Sequence, residues 1–496
     1  MRRRRTVLGF SLLLIVVSWW LVSSAGRGLE RRDFVVDGVP LLFIAPEQRE
    51  SAPVVLIAHG FSGSRLLMQG YAYTLAHAGY ATMAWDFAGN AAHARPKGAR
   101  SLQEDVETAW RAVAQQPGVD TGRAAILGHS MGSGVAMEAA LRHPDRFAAT
   151  VAISPTHADV RPGAPRNLLL QAGSLEGRFV ANARALLAAA GGPNQDMAAG
   201  LGRALVIVPG VEHISILFHP RSHRAAREWL DKTFDRRSSG RYSDRRILWY
   251  GLHLLGWLGV MAAWAPQLGR RSPRAGRRRE RLSWWAGVVA GPLVATATLA
   301  ALQSVVDLPS LAGFLVGGAL ALWFLVAGLA WLFIGGRWRE RNVGAREETP
   351  GASVSRARTL LTAMSAFVIL WMAMGAMAQV VWLQWWLITP RLVRWPLLAL
   401  GVFPWMWASA QAQAGRPLLH RLLWWFGQCL TCVVGLLLLA LWVPGMGFVV
   451  LLLPVVPIIF ALLAVTHALL EHPPASALAG ALFFAWALAA VFPLAT

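Results

Sequence analysis

The sequence predicts two unlike parts: an α/β domain built on a doubly wound, mostly parallel sheet, and an all-α polytopic membrane domain. Three observations predict this. Between residues 30 and 236, short apolar runs alternate with helical stretches, as parallel α/β folds do. From residue 237 onward, apolar segments of bilayer-spanning length recur. Hydrophobic residues make up 55% of the 496, with 24 Trp, which is more than a soluble globular chain carries. The expected organisation is a membrane anchor over 1–29, the α/β domain over 30–236 and the helical membrane part over 237–496.

The elements follow in order. Four arginines, Arg2–Arg5, precede an apolar run from Val7 to Val22 that contains Trp19-Trp20. That run reads as an uncleaved signal anchor, with cleavage after Ser23-Ser24-Ala25 as the alternative. Either way the arginines stay in the cytoplasm and the following domain crosses the membrane. Asp33–Ala45 reads as a hairpin turning at Asp37-Gly38. Strands are expected at Pro53–Ala58, Ala81–Asp86, Ala124–Leu127, Ala148–Ile153, Asn167–Gln171 and Leu205–Val208. Helices are expected over 65–78, 102–115, 131–142, 179–190 and 222–233. Eight further spans are expected near 247–267, 283–303, 310–334, 358–388, 395–413, 421–443, 446–469 and 475–495, nine in all. The loops Gly269–Arg281 and Gly336–Arg358 hold seven and six arginines, as cytoplasmic loops should. Arg391 and Arg394 dissent, falling on the outer side.

The stretch Ala124–Gly132 reads A-A-I-L-G-H-S-M-G and carries the chemistry. A strand ends at Leu127, Gly128-His129-Ser130-Met131-Gly132 fits G-x-S-x-G, and a helical pattern follows. That is the context of a nucleophile elbow, in which Gly128 and Gly132 clear space beside a strained serine. Over about two fifths of the chain the sequence resembles the α/β-hydrolase family, while the membrane part resembles no recognised family. The resemblance implies three more elements. A base must take the Ser130 proton, and His213, after the last strand, stands where the family has its histidine. An acid must orient that histidine. Glu176 follows Asn167–Gln171, where most members have Asp, and the chain order Ser130, Glu176, His213 is the family order. Glu212 is the rival acid. Fixed N–H donors must hold an oxyanion; the resemblance gives the Met131 amide and the Phe61 amide of His59-Gly60-Phe61-Ser62-Gly63.

Other chemistry is weakly signalled. The net charge of +21 sits in arginine runs between apolar segments, so nucleic acid is not expected. Lysine occurs only at 97 and 232. Cys429 and Cys432 form a C-x-x-C inside an apolar run and read as small buried residues. His59 has no partner motif for a metal, and neither metal nor organic cofactor is expected. His467 and Glu471, one helical turn apart, are a possible pair. Asp86 reads as structural. Few residues separate Ile153 from Asn167, so a large lid has no room there.

These features predict a multi-pass protein of a bacterial cytoplasmic membrane with its hydrolase domain on the extracytoplasmic face. It would cleave an ester or related acyl bond of a lipid-like substrate; protein partners are undetermined. Two alternatives stand beside this. One is an acyltransferase working on lipid or envelope glycan. The other is a transporter or scaffold whose hydrolase-like domain is an accessory.

Overall fold

The computed structural model describes residues 2–236, 242–268, 278–340, 355–453 and 455–496. They form two compact units. One unites residues 16–252 with Met377–Gln384; the other holds the residues up to Ile15, His253–Ala376 and Trp385–Thr496.

The first unit carries an eight-stranded sheet in the order β1-β2-β4-β3-β5-β6-β7-β8. Its strands are Leu29–Val36, Val39–Pro46, Ala52–Ala58, Ala81–Trp85, Val119–His129, Ala149–Ile153, Leu168–Gly173 and Arg203–Val208, β1 to β8 in chain order. β2 pairs antiparallel with both β1 and β4, and the other pairings are parallel. The β1–β2 turn places Asp37 and Gly38 at φ 51° and 82°, the left-handed pair that a tight hairpin needs. After the N-terminal helix α1 (Arg2–Ser24), the sheet is flanked by α2 (Gln69–His77), α3 (Leu102–Ala114), α4 (Met131–Arg142), α5 (Gly177–Ala189) and α6 (Pro220–Thr233). The capping box at Ser101 and Glu104 fixes the start of α3.

Strand alternation divides the core. Val55, Ile57, Leu127, Val151 and Ile153 pack with α2 and α6 on one face. Val54, Leu56, Ala58, Ala124 and Ile126 pack with α3 and α4 on the other. Each of these Val, Leu and Ile side chains contributes about 1.5–3 kcal/mol by leaving water. β3 is buried along its whole length, as an inner parallel strand should be.

Among the described residues, seven helices are long and apolar enough to cross a membrane: Arg4–Ser24, Arg246–Trp264, Leu282–Leu302, Gly317–Gly336, Arg356–Val381, Leu418–Trp442 and Pro473–Val491. Two of the nine expected spans fall outside this set. The segment expected over 446–469 divides into a 3-10 stretch, Met446–Leu452, and a 15-residue helix, Val456–Leu470. Pro457 lies at the start of that helix, where its missing N–H is tolerated. At a rise of about 1.5 Å per residue the helix is well short of the ~30 Å hydrocarbon layer. Trp395–Gln413 is helical, but it carries Ser409, Gln411 and Gln413 towards its end. Most of the two arginine-rich loops, 269–277 and 341–354, lies outside the described residues.

The helical unit explains two features of the sequence. Trp323, Trp331, Trp385 and Trp405 are fully buried, so tryptophan builds the interior here. Gly328 lets Trp405 approach, because a Cβ would lie 2.2 Å from the Trp405 nitrogen. The dissenting Arg391 is buried, and its Nη1 donates to the Ala489 and Phe492 carbonyls at 2.6 and 2.7 Å. It therefore caps the C-terminal end of the last helix. The side chains of His467 and Glu471, which the helical spacing would allow to pair, do not pair. Glu471 turns into the left-handed region at φ 48° and faces Arg421 at 3.6 Å. Cys429 and Cys432 are buried free thiols.

Candidate active site

The elbow forms where β5 runs into α4. Ser130 has φ 52° and ψ −121°, a backbone state that costs a non-glycine residue about 1–3 kcal/mol. Its N–H donates to the Ile153 carbonyl at 2.9 Å, and its carbonyl accepts from the Ser133 N–H at 2.8 Å. The two flanking glycines are sterically required. A Cβ on Gly128 would lie 2.0 Å from the Gly132 oxygen, and one on Gly132 would lie 2.5 Å from the His59 oxygen.

Two loops bring the other groups to Ser130. Glu176 follows β7 and His213 follows β8, and the loops are stitched together. The Gly210 N–H donates to Ser174 Oγ at 2.9 Å, and the Leu175 N–H donates to the Val211 carbonyl at 3.1 Å. His213 Nδ1 lies 2.8 Å from Glu176 Oε2, and His213 Nε2 lies 3.0 Å from Ser130 Oγ. In the tautomer that satisfies both contacts, Nδ1–H donates to the carboxylate and Nε2 accepts from the hydroxyl. The other oxygen of Glu176 accepts from the Gly173 N–H at 2.5 Å and from the Ser154 hydroxyl at 2.7 Å. Glu176 and His213 are both buried. Glu212 is engaged elsewhere: its carboxylate accepts from the Ile214 and Ser215 N–H groups at 2.9 and 2.7 Å.

The expected amide donors also border Ser130. Met131 opens α4, where the first N–H groups of a helix have no partner within it. Phe61 lies in the turn Gly60–Gly63, closed by the Gly63 N–H to the Gly60 carbonyl at 3.0 Å. A Cβ on Gly60 would lie 3.1 Å from Ser130 Cβ, so a side chain here would press on the elbow and push it back by a few tenths of an ångström. The segment 154–167 carries no helix or strand of its own.

Three residues that hold this arrangement escaped the sequence reading. His129 Nε2–H donates to the His213 carbonyl at 3.0 Å, tying the elbow to the histidine loop. Burial, and then the charge of His213, push the His129 pKa well below its ordinary value, so its ring stays neutral. Ser154 directly follows β6 beside the elbow and braces Glu176. Phe179 stacks on the His213 ring, with centroids 4.3 Å apart and planes at 23°. A polar residue directly after a parallel strand, as Ser154 is, was the available signal. His129 and Phe179 carried none.

His59 has both ring nitrogens engaged, Nδ1 with the Gly60 carbonyl at 2.6 Å and Nε2 with the Phe87 N–H at 3.0 Å. Burial lowers its pKa, which suits a neutral ring bracing the turn. Asp86 is fully buried and accepts from the Arg65 N–H at 2.7 Å and the Ala92 N–H at 3.1 Å. It joins the loop after β4 to the loop after β3.

Residues 49–200 match the Hydrolase_4 family, described as serine aminopeptidase, S33. An epoxide hydrolase of Caballeronia sordidicola is 28% identical over 134 residues, which is 27% of this chain and 40% of that protein. The match therefore spans less than half of that relative. Among solved structures, a bacterial membrane phospholipase A, described as a virulence factor, is 17% identical. It covers 47% of this chain and 100% of its own, with a TM-score of 0.33. A CIB-like hydrolase from Thermoplasma acidophilum is 19% identical, covering 41% of this chain and 97% of its own, with a TM-score of 0.33. An esterase of the bacterial hormone-sensitive lipase family is 19% identical, covering 48% of this chain and 98% of its own, also with a TM-score of 0.33. With the strand order, the family match identifies the sheet-bearing part of the chain as an α/β-hydrolase fold.

Proposed function

We propose that this α/β-hydrolase domain is a membrane-anchored serine hydrolase that cleaves a carboxylic ester or related acyl bond. The observation that carries the reading is the hydrogen-bonded line Glu176–His213–Ser130, with the serine held at positive φ at the end of β5. In the proposed reaction Ser130 Oγ attacks the acyl carbonyl and its proton passes to His213 Nε2. The Phe61 and Met131 amides receive the charge that grows on the carbonyl oxygen. Glu176 keeps Nδ1 protonated and stabilises the imidazolium. The imidazolium then protonates the leaving group, and water resolves the acyl-enzyme by the same route in reverse. In this reading α1 anchors the domain, the further apolar helices lie in a bacterial cytoplasmic membrane, and the domain faces outward.

Intact membranes carrying the wild-type chain or Ser130→Ala are treated with a fluorophosphonate probe. The expected result is labelling of the wild type from the outer side and none of the variant. Labelling that survives the substitution would remove Ser130 from the reaction.

A further inference from the structure

Lys97 lies in the loop after β4, and this loop is bound to the turn that carries the Phe61 amide. Three contacts make the connection. Phe87 N–H donates to His59 Nε2 at 3.0 Å, Asp86 accepts from the Arg65 N–H at 2.7 Å, and the Lys97 ammonium sits 4.8 Å from the Phe61 ring centroid. The turn is itself in near contact with Ser130 through Gly60. Sites in parallel α/β sheets open beyond the C-terminal strand ends, and the loops after β3, β4 and β5 all leave from that edge. Lys97 therefore stands beside the mouth of the site described above.

Its charge is not neutralised there. Among the described residues no carboxylate lies within ion-pair distance of Lys97, whereas the neighbouring Arg100 is paired with Asp105 at 2.9 Å and Arg65 with Asp33 and Asp86. The side chain is half-buried, and that burial pushes its pKa down. A half-buried cation with no acidic partner is costly unless something else supplies the negative charge. The Phe61 ring face offers only part of that compensation. One of only two lysines in a chain whose cationic residues are otherwise arginine occupies this place.

Resting on the serine-hydrolase reading, we propose that Lys97 selects substrates carrying an anionic group, a carboxylate or phosphate, near the scissile acyl bond. The ammonium would form a charge-assisted hydrogen bond with that group while the stem stays on the Phe61 ring. Lys97 is thus a specificity residue and takes no part in proton transfer.

Two ester pairs that differ in charge test this with the full-length protein in detergent. On the leaving-group side they are para-acetoxybenzoate and its methyl ester; on the acyl side, para-nitrophenyl hydrogen glutarate and para-nitrophenyl pentanoate. Lys97→Met keeps the stem on Phe61 and removes the charge. The wild type is expected to favour the anionic member of at least one pair in kcat/KM. Lys97→Met should lower that preference roughly ten- to hundredfold, as expected for losing one hydrogen bond to a charged group. The loss should fall on KM, with Lys97→Arg retaining most of the preference. Raising the salt from 0.02 to 0.5 M, which shortens the reach of exposed charges, should compress the wild-type preference. Anionic-to-neutral ratios that stay within twofold in Lys97→Met, while turnover still depends on Ser130, would overturn the role of Lys97 and leave the hydrolase reading standing. Absence of any Ser130-dependent turnover would overturn both.

Discussion

Glu176→Gln is the sharpest perturbation of the site, because three donors converge on one carboxylate. Oε2 accepts from His213 Nδ1–H at 2.8 Å, and Oε1 accepts from the Gly173 N–H at 2.5 Å and the Ser154 hydroxyl at 2.7 Å. A glutamine amide has one oxygen and one NH2 group. If the NH2 replaces Oε2, it faces Nδ1–H and drives the imidazole to the other tautomer, whose Nε2–H cannot accept the Ser130 proton. If the NH2 replaces Oε1, it faces the Gly173 N–H, which cannot rotate away. The first orientation leaves the wrong tautomer, the second leaves a buried donor opposing a donor, and both remove the charge that stabilises the imidazolium. Loss of the correct tautomer lowers kcat by about 10³–10⁴, or roughly 4–5.5 kcal/mol of barrier. The assay is steady-state ester hydrolysis across pH, with thermal unfolding measured in parallel to confirm that the variant is folded. Glu176→Asp retains the charge and should lie between the two. A folded Glu176→Gln protein with kcat within tenfold of wild type would refute the proposed role of this carboxylate.

Further predictions follow from packing and charge. Gly128→Ala puts a methyl group 2.0 Å from the Gly132 oxygen, beyond ordinary overpacking; we expect a loss of about 3 kcal/mol or more, or no folded protein, read by thermal unfolding. The Arg246 guanidinium is buried, bonded twice to Asp244 and once to Gln69 Oε1 at 2.9 Å, and stacked 3.7 Å over Tyr73. Arg246→Ala takes the guanidinium from the largely buried Asp244 carboxylate, which keeps only the residue 246 N–H and the Tyr242 hydroxyl, and should cost about 3–5 kcal/mol; a shift in unfolding temperature under 2 °C would contradict this. His59 and His129 are held neutral, with folded pKa values below their ordinary value near 6.5. Their contribution is therefore complete above about pH 6.5 and declines as pH falls toward the folded values. The unfolding temperature should drop between pH 8 and pH 5.5, and the drop should shrink in His129→Gln; equal drops in the two proteins would discount His129.

The α/β architecture was legible because its signals are periodic. The inner strands are continuous apolar runs, and their helices repeat at 3.6 residues. Boundaries were less legible. β5 begins at Val119, five residues before its expected start, because Asp120, Gly122 and Arg123 carry no strand-like pattern; Val119 and Asp120 pair with Ala52 and Pro53, and the ladder resumes at Ala124 after a register shift. Chain order and the elbow motif were enough to nominate Ser130, Glu176 and His213, and the structure brings these side chains together. His129 and Phe179 could not be read in the same way, since a hydrogen bond to a carbonyl 84 residues away and a ring stack leave no pattern in the chain. The membrane part exposed a different limit. Apolar length reports that a segment avoids water and says nothing about its neighbours. The single span expected over 358–388 becomes helix Arg356–Trp371, a π-helical turn Met372–Ala376 and a short helix Met377–Val381, with Met377–Gln384 grouped with the sheet-bearing unit.

That grouping bears on how the protein is made. Trp382 packs edge-on against Phe218, five residues beyond His213, and against Tyr250, with ring centroids 6.5 and 6.0 Å apart. A ribosome adding about 5–20 residues per second reaches Trp382 roughly 7 to 26 seconds after Tyr250. During that interval these two rings lack their Trp382 contact. The domain's last aromatic neighbour thus arrives after several apolar helices have already been synthesised, and chains interrupted before residue 382 lack it permanently.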